Sequence, residues 1–150
     1  VATPKESRLA DRVVAPRTAV DFTSLDFYKR VGCNISQGIA NLEAFVDQVT
    51  GQGKKLAGYG AGGRGVMTLA AMSNANKLHY LVDKKPKRAG LAVPKSGISL
   101  VSLDHLRSDP VDDILVFSYG YMAEIQAEVG KMGYQQSQFH SLLDILAGRF

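Results

Sequence analysis

The stretch that decides the fold of this chain reads Lys55-Leu-Ala-Gly-Tyr-Gly-Ala-Gly-Gly-Arg-Gly-Val-Met-Thr68. It begins as a short apolar strand, continues as a glycine-dense turn and ends in residues that suit the first turn of a helix. Glycine takes positive φ without steric cost and lets the backbone approach a ligand closely. A helix that begins near Gly62 directs its unpaired N–H groups and the positive end of its dipole towards this turn. The stretch therefore predicts a binding site for an anionic group, and phosphate suits it best.

The spacing of three glycines and one acid indicates a dinucleotide-binding βαβ unit. Gly58, Gly60 and Gly63 fit the pattern G-x-G-x-x-G, and Asp83 ends a second apolar run 23 residues after Gly60 (83 minus 60). This is near the spacing at which a Rossmann unit places the acid that contacts a ribose. The alternative is a tight strand–helix turn in which the glycines serve packing alone.

Length, composition and charge limit the class of protein. The chain has 150 residues, of which 45% are hydrophobic and 21% charged, which suits one domain with a buried core. No run approaches the roughly 18 apolar residues of a membrane span, and the first residues do not read as a signal peptide. The net charge of +4 favours anionic ligands without by itself indicating nucleic acid. The single cysteine, Cys33, excludes an internal disulfide. We therefore expect a cytoplasmic protein that binds neither nucleic acid nor membrane. Because the chain lacks a starting methionine, we also expect a piece of a longer one.

Periodicity along the chain predicts an arm, a long helix and then alternating strands and helices. Residues 1–23 read as an extended arm or linker, and residues 24–150 as a nucleotide-binding domain. Helices are predicted at residues 24–50, 62–72, 103–107 and 122–130, and strands at 55–59, 78–82, 98–101, 113–117 and 139–143. The expected fold class is α/β: a Rossmann-like three-layer αβα arrangement with a mainly parallel sheet, preceded by a long N-terminal helix.

Three groups of side chains are predicted to meet at the carboxyl edge of this sheet, where ligands bind in parallel α/β folds. Arg64, beside the glycine turn, either reaches back to a phosphate or lies in solvent. Asp83 either accepts a hydrogen bond from a ribose or base, or forms a turn before Pro86. The basic run after it, with Lys84 and Lys85, either meets a phosphate or is a solvated loop. The predicted ligand-binding residues are Gly58, Tyr59, Gly60, Ala61, Gly62, Gly63, Arg64, Asp83, Lys84, Lys85, Ser118 and Tyr119.

Several kinds of catalytic site have no counterpart in the sequence. It contains no Cys/His cluster with metal-ligand spacing, no serine nucleophile elbow and no P-loop. His105 and His140 lie apart and lack obvious acid partners, so the sequence nominates no general acid–base pair. It predicts a nucleotide-binding module without a metal site, and its catalytic residues stay unknown.

The combined order of motifs resembles the C-terminal domain of the sugar C-methyltransferases, which methylate nucleotide-linked deoxysugars. The resemblance spans about residues 24–130, and it is carried by the run from Gly58 to Thr68, by Leu81-Val-Asp83 with Gly90, and by Val93-Pro-Lys-Ser-Gly-Ile98. It implies a Rossmann-like domain that helps to form the cleft for a dTDP- or UDP-linked sugar.

The resemblance also implies a longer parent chain. In that family a zinc-binding domain and an S-adenosylmethionine domain precede this one, and the catalytic His, Tyr and Glu residues lie upstream. This domain is therefore expected to hold no cofactor of its own and to work with upstream methyltransferase domains. The family often has alanines where this chain has Gly62 and Gly63, and an aromatic-Asn pair where it has Tyr119-Gly120. A similar glycine turn, strand and acid also open the nucleotide-sugar-binding domain of some sugar N-acyltransferases.

Two other functions stay open at this stage. The order of motifs up to Asp83 also suits an NAD(P)-binding oxidoreductase domain, and Lys84 and Lys85 would then favour NADP. A non-catalytic module is the third alternative, with docking or homodimerisation through the helix at residues 24–50.

Overall fold

A computed structural model of the chain describes residues 23–60, 62–84 and 90–150. The arm predicted at residues 1–23 therefore lies outside the described residues except for Thr23, and so do Ala61 and Lys85 of the predicted ligand-binding set. The chain divides into two compact units, Val1–Asn34 and Ile35–Phe150. The second unit contains the sheet and the candidate site.

The long helix α1 occupies Leu25–Gly51, close to its predicted bounds. Within the second unit, Leu42, Phe45, Val46 and Val49 are buried at the spacing of one helix face. No helix of the described residues, this one included, is both long and apolar enough to cross a bilayer.

In its described residues, the second unit is built on a sheet of five strands that all pair in parallel. The strands are β1 (Leu56–Tyr59), β2 (Leu81–Val82), β3 (Leu100–Val101), β4 (Asp113–Val116) and β5 (Phe139–Ser141). Their order across the sheet is β3-β2-β1-β4-β5. This is the strand order of a Rossmann fold, and it reverses between β1 and β4, where such folds bind ligands. The predicted Rossmann-like fold with a mainly parallel sheet is confirmed.

Helices cover both faces of the sheet. After α1 they are α2 (Gly63–Ala71), α3 (His105–Ser108), α4 (Met122–Gly130) and α5 (Leu142–Leu146). Along β4, Leu115 belongs to a hydrophobic cluster with residues of α1, α2 and α5, whereas Ile114 and Val116 belong to a cluster with residues of α3 and α4. Because successive strand residues point to opposite faces, these clusters are the two halves of a three-layer αβα core.

The structure differs from the predictions mainly at short elements. β2 begins only at Leu81, three residues after the predicted start at 78, so His79 precedes the strand. β5 ends at Ser141, and α5 follows at once where the sequence predicted continued strand. Leu142 and Ile145 are buried three positions apart, which is helical spacing. A short apolar run of this kind does not reveal its own periodicity, and packing decides it.

Candidate functional site

The glycine turn joins β1 to α2 at the carboxyl edge of the sheet. Gly60 has a φ of +103°, and a Cβ at this position would collide with the hydroxyl of Ser118. A Cβ at Gly65, inside α2, would collide with the carbonyl oxygen of Gly60. Gly62 and Gly63, by contrast, have open space where a Cβ would lie. The three roles of glycine in a dinucleotide-binding turn are the tight turn, the approach to the ligand and helix packing; they fall on Gly60, Gly62 and Gly65.

This assignment moves the G-x-G-x-x-G pattern two residues along the chain, because the predicted set was Gly58, Gly60 and Gly63. Gly58 is buried inside β1, where a Cβ would lie 2.7 Å from Leu81 Cδ1 and 2.9 Å from Phe117 Cε2. Its missing side chain therefore serves packing in the sheet. Both sets of glycines have the same spacing, so only the surroundings of each Cα distinguish them.

The start of α2 presents unpaired N–H groups to this edge. The helix begins at Gly63, after Gly62, and no side chain caps it in the described part of the chain. The N–H groups of the first helical turn lack partners within their own helix, and they concentrate positive potential there. The turn predicted from the sequence as an anion site therefore has an open face.

A cavity of about 670 Å³ opens at the same edge, between the end of β2 and helix α4. This volume is typical of small-molecule sites. It lies at the β1/β4 switch point, because the exits of both strands contribute to its lining. The cavity brings together seven of the predicted residues, namely Tyr59, Gly60, Gly62, Gly63, Asp83, Lys84 and Ser118.

Two predicted residues lie beside the cavity without lining it. The guanidinium carbon of Arg64 lies 4.8 Å from the centroid of the Tyr119 ring, a cation–π contact. Tyr119 packs against the cluster on the α1, α2 and α5 face, whereas Tyr59 and Ile125 of the cavity belong to the other face. The structure thus pairs Arg64 with Tyr119 and places neither in the cavity lining.

Sequence reasoning missed the part of the far wall that α4 supplies, namely Glu124, Ile125 and Glu128; Tyr121, at the exit from β4, completes this wall. Ile125 is buried and fixes α4 against the sheet. Glu124 precedes it and Glu128 follows one turn later, so the two carboxylates lie on the same side of the helix. The available signal was a pair of acids on either side of a buried residue, directly after the turn that ends a strand. The predicted ligand-binding set nevertheless included no residue of this helix.

Among the described side chains that line the cavity, the charged ones are mostly acidic. Asp83, Glu124 and Glu128 contribute three carboxylates, and the Nζ of Lys84 lies 2.9 Å from Oε2 of Glu128. Burial, and after it the negative charges of Glu128 and Asp83, raises the pKa of the Tyr59 hydroxyl to about 12. Tyr59 therefore stays protonated at neutral pH. The cavity offers backbone donors at the turn and carboxylate acceptors on its walls, which suits a ligand that combines an anionic group with hydroxyls.

The histidines lie at the opposite, amino edge of the sheet, and they have carboxylate partners that the sequence did not reveal. His79 Nε2 lies 2.6 Å from Asp109 Oδ2, and His140 Nε2 lies 2.8 Å from Asp113 Oδ1. His105 Nε2 is 4.0 Å from Asp109 Oδ2. Over the described ranges no group of three or more His, Cys, Asp or Glu residues is placed to hold a metal ion. These contacts are distant from the cavity lining, so they nominate no catalytic pair for it.

Comparison with known proteins gives one family. The family model described as the C-methyltransferase C-terminal domain matches residues 2–143. Comparison with individual curated proteins gives no match. The matched range includes the glycine turn, Asp83 and the acidic wall of α4, and it covers nearly all of the 150 residues. The chain therefore belongs to the C-methyltransferase C-terminal domain family.

Proposed function

We propose that this domain binds a nucleotide sugar, linked to dTDP or UDP, in the cavity beside the glycine turn. Methyl transfer would then be carried out by upstream domains of a longer parent chain, which would hold S-adenosylmethionine. The observation that carries the proposal is one cavity lined both by an uncapped glycine turn and by the acid that follows β2. We also place the protein in the cytoplasm, where a free and exposed thiol such as Cys33 suits reducing conditions.

The diphosphate would lie against the glycine turn. Gly62 and Gly63 line the cavity and have no neighbour within 4 Å of a Cβ position, so a phosphate oxygen can reach their backbone N–H groups. Backbone donors at a helix N-terminus suit phosphate, because the helix dipole adds to the hydrogen bonds. Ser118, which meets Gly60 across the β1/β4 switch point, offers a further hydroxyl there.

The ribose would lie at the end of β2. Asp83 lines the cavity directly after the buried Val82, and a carboxylate at this point accepts hydrogen bonds from vicinal hydroxyls. Tyr59, which stays protonated, contributes a hydroxyl between the β2 and α4 walls. The acidic α4 wall then faces the remaining hydroxyls of the ligand.

Isothermal titration with dTDP-glucose and UDP-glucose tests the proposal. We expect a saturable heat for at least one of them, and Asp83→Asn should weaken binding about tenfold, because it replaces a charged acceptor by a neutral one. Asp47→Asn is the matched control: it removes an equal charge from an exposed pair that Asp47 of α1 forms with Lys77, and it should leave the affinity unchanged. If no titration of the domain gives heat, either alone or with the other parent domains present, the binding proposal is wrong.

An NAD-binding oxidoreductase domain is a second candidate, which the strand order and Asp83 favour. Lys84, which the sequence suggested for a 2′-phosphate, is already paired with Glu128. This exposed pair is weak enough for a 2′-phosphate to replace it, so for this candidate we expect NADP to bind more tightly than NAD. Quenching of the fluorescence of NADH and NADPH measures both affinities, and quenching by neither of them would exclude this candidate.

Homodimerisation is a third candidate, which an apolar stripe at the start of α1 favours. Within the first unit, Leu25, Tyr28 and Val31 recur at helical spacing, and Leu25 and Tyr28 are 66% and 56% exposed. Apolar side chains at such spacing suit helix–helix contacts. Sedimentation should then show a dimer for the wild type and a monomer for Leu25→Ser combined with Tyr28→Ser. A monomeric wild type would exclude it.

A further inference from the structure

An ion pair spans the candidate cavity. Lys84 follows β2 and Glu128 lies in α4, and both line the cavity, so the 2.9 Å contact between Lys84 Nζ and Glu128 Oε2 joins its two walls. The Lys84 side chain is 69% exposed and the Glu128 side chain is 33% exposed. A ligand that fills the space from β2 to α4 has to meet this pair.

The pair is easily opened. Solvated Lys–carboxylate pairs of this kind shift an equilibrium by about fivefold or less, because water and side-chain entropy offset most of the attraction. One charge-assisted hydrogen bond from Lys84 to a ligand is strong enough to replace it. The contact therefore does not block the cavity, but a ligand that opens it must supply new partners for Lys84 and Glu128.

We propose that the Lys84–Glu128 pair is a strap whose two partners are exchanged for two different groups of one ligand. Lys84 leaves Glu128 and donates to a phosphate oxygen, and Glu128 then accepts a hydrogen bond from a sugar hydroxyl. The strap rests on the nucleotide-sugar proposal above, and it refines that proposal by assigning Glu128 to the selection of the sugar part.

The charges of the cavity explain why both groups are needed. A nucleoside diphosphate without a sugar takes Lys84, but it leaves Glu128 unpaired near Glu124 and close to the new phosphate charge. Like charges at this separation repel, and Glu124 has no ion pair of its own among the described residues. A sugar hydroxyl that donates to Glu128 removes this penalty. The strap should therefore favour nucleotide sugars over the corresponding free nucleotides.

Calorimetric titration of the full 150-residue chain with UDP, UDP-glucose, dTDP and dTDP-glucose tests the strap. In Glu128→Gln, the neutral glutamine holds Lys84 only weakly and does not repel phosphate, so the free nucleotide should bind about fivefold more tightly than in the wild type. The preference for the nucleotide sugar over the free nucleotide should fall by about fivefold, because the neutral amide is the weaker acceptor.

Two further variants make the result specific. Asp47→Asn opens a partly exposed pair between α1 and the segment after α2, Lys77 Nζ to Asp47 Oδ1 at 2.9 Å, and should change neither affinity. Lys84→Met should weaken every ligand while it keeps the preference for the sugar, because Glu128 stays available. Thermal unfolding confirms that each variant is folded.

The outcomes separate the strap from the function on which it rests. Equal effects of Glu128→Gln on the free nucleotide and the nucleotide sugar would overturn the strap and leave the binding proposal intact. A wild-type chain that binds none of the four ligands, either alone or with the other parent domains present, would overturn both.

Discussion

The two ends of the sheet use their charged side chains in opposite ways. At the amino edge, the carboxylate of Asp109 is held by Lys55 Nζ at 2.8 Å and by His79 Nε2 at 2.6 Å. At the carboxyl edge, Glu124 makes no side-chain hydrogen bond or ion pair within the described part of the chain, and no side chain there caps the helix after Gly62. Charges that are satisfied internally stabilise the fold, whereas polar groups left open beside a cavity are available to a ligand.

A buried carboxylate shows the closed arrangement most clearly. Asp113 begins β4 with only 8% of its side chain exposed, and it contacts Lys54 Nζ at 3.2 Å and His140 Nε2 at 2.8 Å. A buried carboxylate without partners is costly, so these contacts are part of the core. The comparison therefore predicts that changes at the amino edge affect stability and that changes at the carboxyl edge affect binding, with the glycines that shape the turn as the exception.

A substitution at one of the glycines that shape the turn should have the largest effect on stability. In Gly65→Ala the new Cβ collides with the carbonyl oxygen of Gly60, and backbone atoms of a tight turn cannot move aside cheaply. We expect a loss of about 3 kcal/mol in the free energy of unfolding, at the upper end for overpacking. Urea denaturation measures it. Gly63→Ala, in the same helix but with open space around the Cβ, should be neutral or up to about 1 kcal/mol more stable. Equal losses in both variants would mean that the turn is not packed as described.

Removal of the buried carboxylate should have the next largest effect. Asp113→Ala deprives His140 and Lys54 of their common partner, and we expect a loss of about 2 kcal/mol in the free energy of unfolding. Ligand affinity should not change, because Asp113 lies at the amino edge. Lys54→Ala is the control and should cost well under 1 kcal/mol, since half of this side chain is in solvent. A variant of Asp113 that lost binding while it kept its stability would contradict the division of roles between the two edges.

At the carboxyl edge, Gly63→Ala should weaken ligand binding although it leaves the fold intact. Gly63→Ala places a methyl group in the open space that lines the cavity. If the backbone approaches a diphosphate here, this methyl group should reduce nucleotide-sugar affinity about tenfold, which corresponds to about 1.4 kcal/mol. Calorimetry with the ligand that binds the wild type measures the change. Unaltered affinity would show that the ligand does not contact this part of the turn.

The sequence predicted the strand–turn–helix and the acid after β2, because glycine and the spacing to Asp83 are local signals. It could not choose between two sets of glycines with equal spacing, since Gly58 and Gly65 differ only in what their Cα atoms face. The acidic wall of α4 escaped prediction for a related reason. Glu128 lies 44 residues after Lys84 (128 minus 84) and reaches the cavity only because its helix packs against the sheet, so no local pattern encodes the contact between them.

The partners of the histidines were hidden in the same way. Asp109 lies 30 residues after His79 and Asp113 lies 27 residues before His140. Each contact forms only because parallel strands bring their starting residues to one edge of the sheet. Fold class follows from periodicity within a segment, whereas a site assembled at a sheet edge requires the register between segments.

The amino edge should also give the protein a sensitivity to acid. The Lys55 ammonium, and after it His79, hold the pKa of the Asp109 carboxyl below its ordinary value, and His105 lies further away. A carboxyl whose pKa is lower in the folded chain stabilises the fold at pH values above its unfolded pKa of about 3.9, and this contribution is lost as the pH falls through the folded value. Wild type should therefore be more stable than Asp109→Asn at pH 7, and the difference should shrink below about pH 4.

Urea denaturation of both proteins between about pH 7 and pH 3 checks this sign. The effect should be smaller than those above, because Lys55 and His79 are partly in solvent and salt screens such contacts. A difference that grew towards acid pH would mean that Asp109 is held by something other than these cations.

The smallest effect is expected at Arg64, which lies at the carboxyl edge but already has a partner within the protein. Arg64 follows the glycine turn, and the sequence left open whether it meets a phosphate or lies in solvent. Its guanidinium lies over the ring of Tyr119, which is outside the cavity lining. An exposed cation–π contact contributes about 0.5 kcal/mol. Arg64→Ala should therefore cost about that much stability, and it should change nucleotide-sugar affinity less than threefold, whereas Arg64→Lys should retain part of the contact. A tenfold loss of affinity would instead mean that the ligand draws Arg64 away from Tyr119. Arg64 would then be part of the binding site, although its charge already has a partner in the free protein.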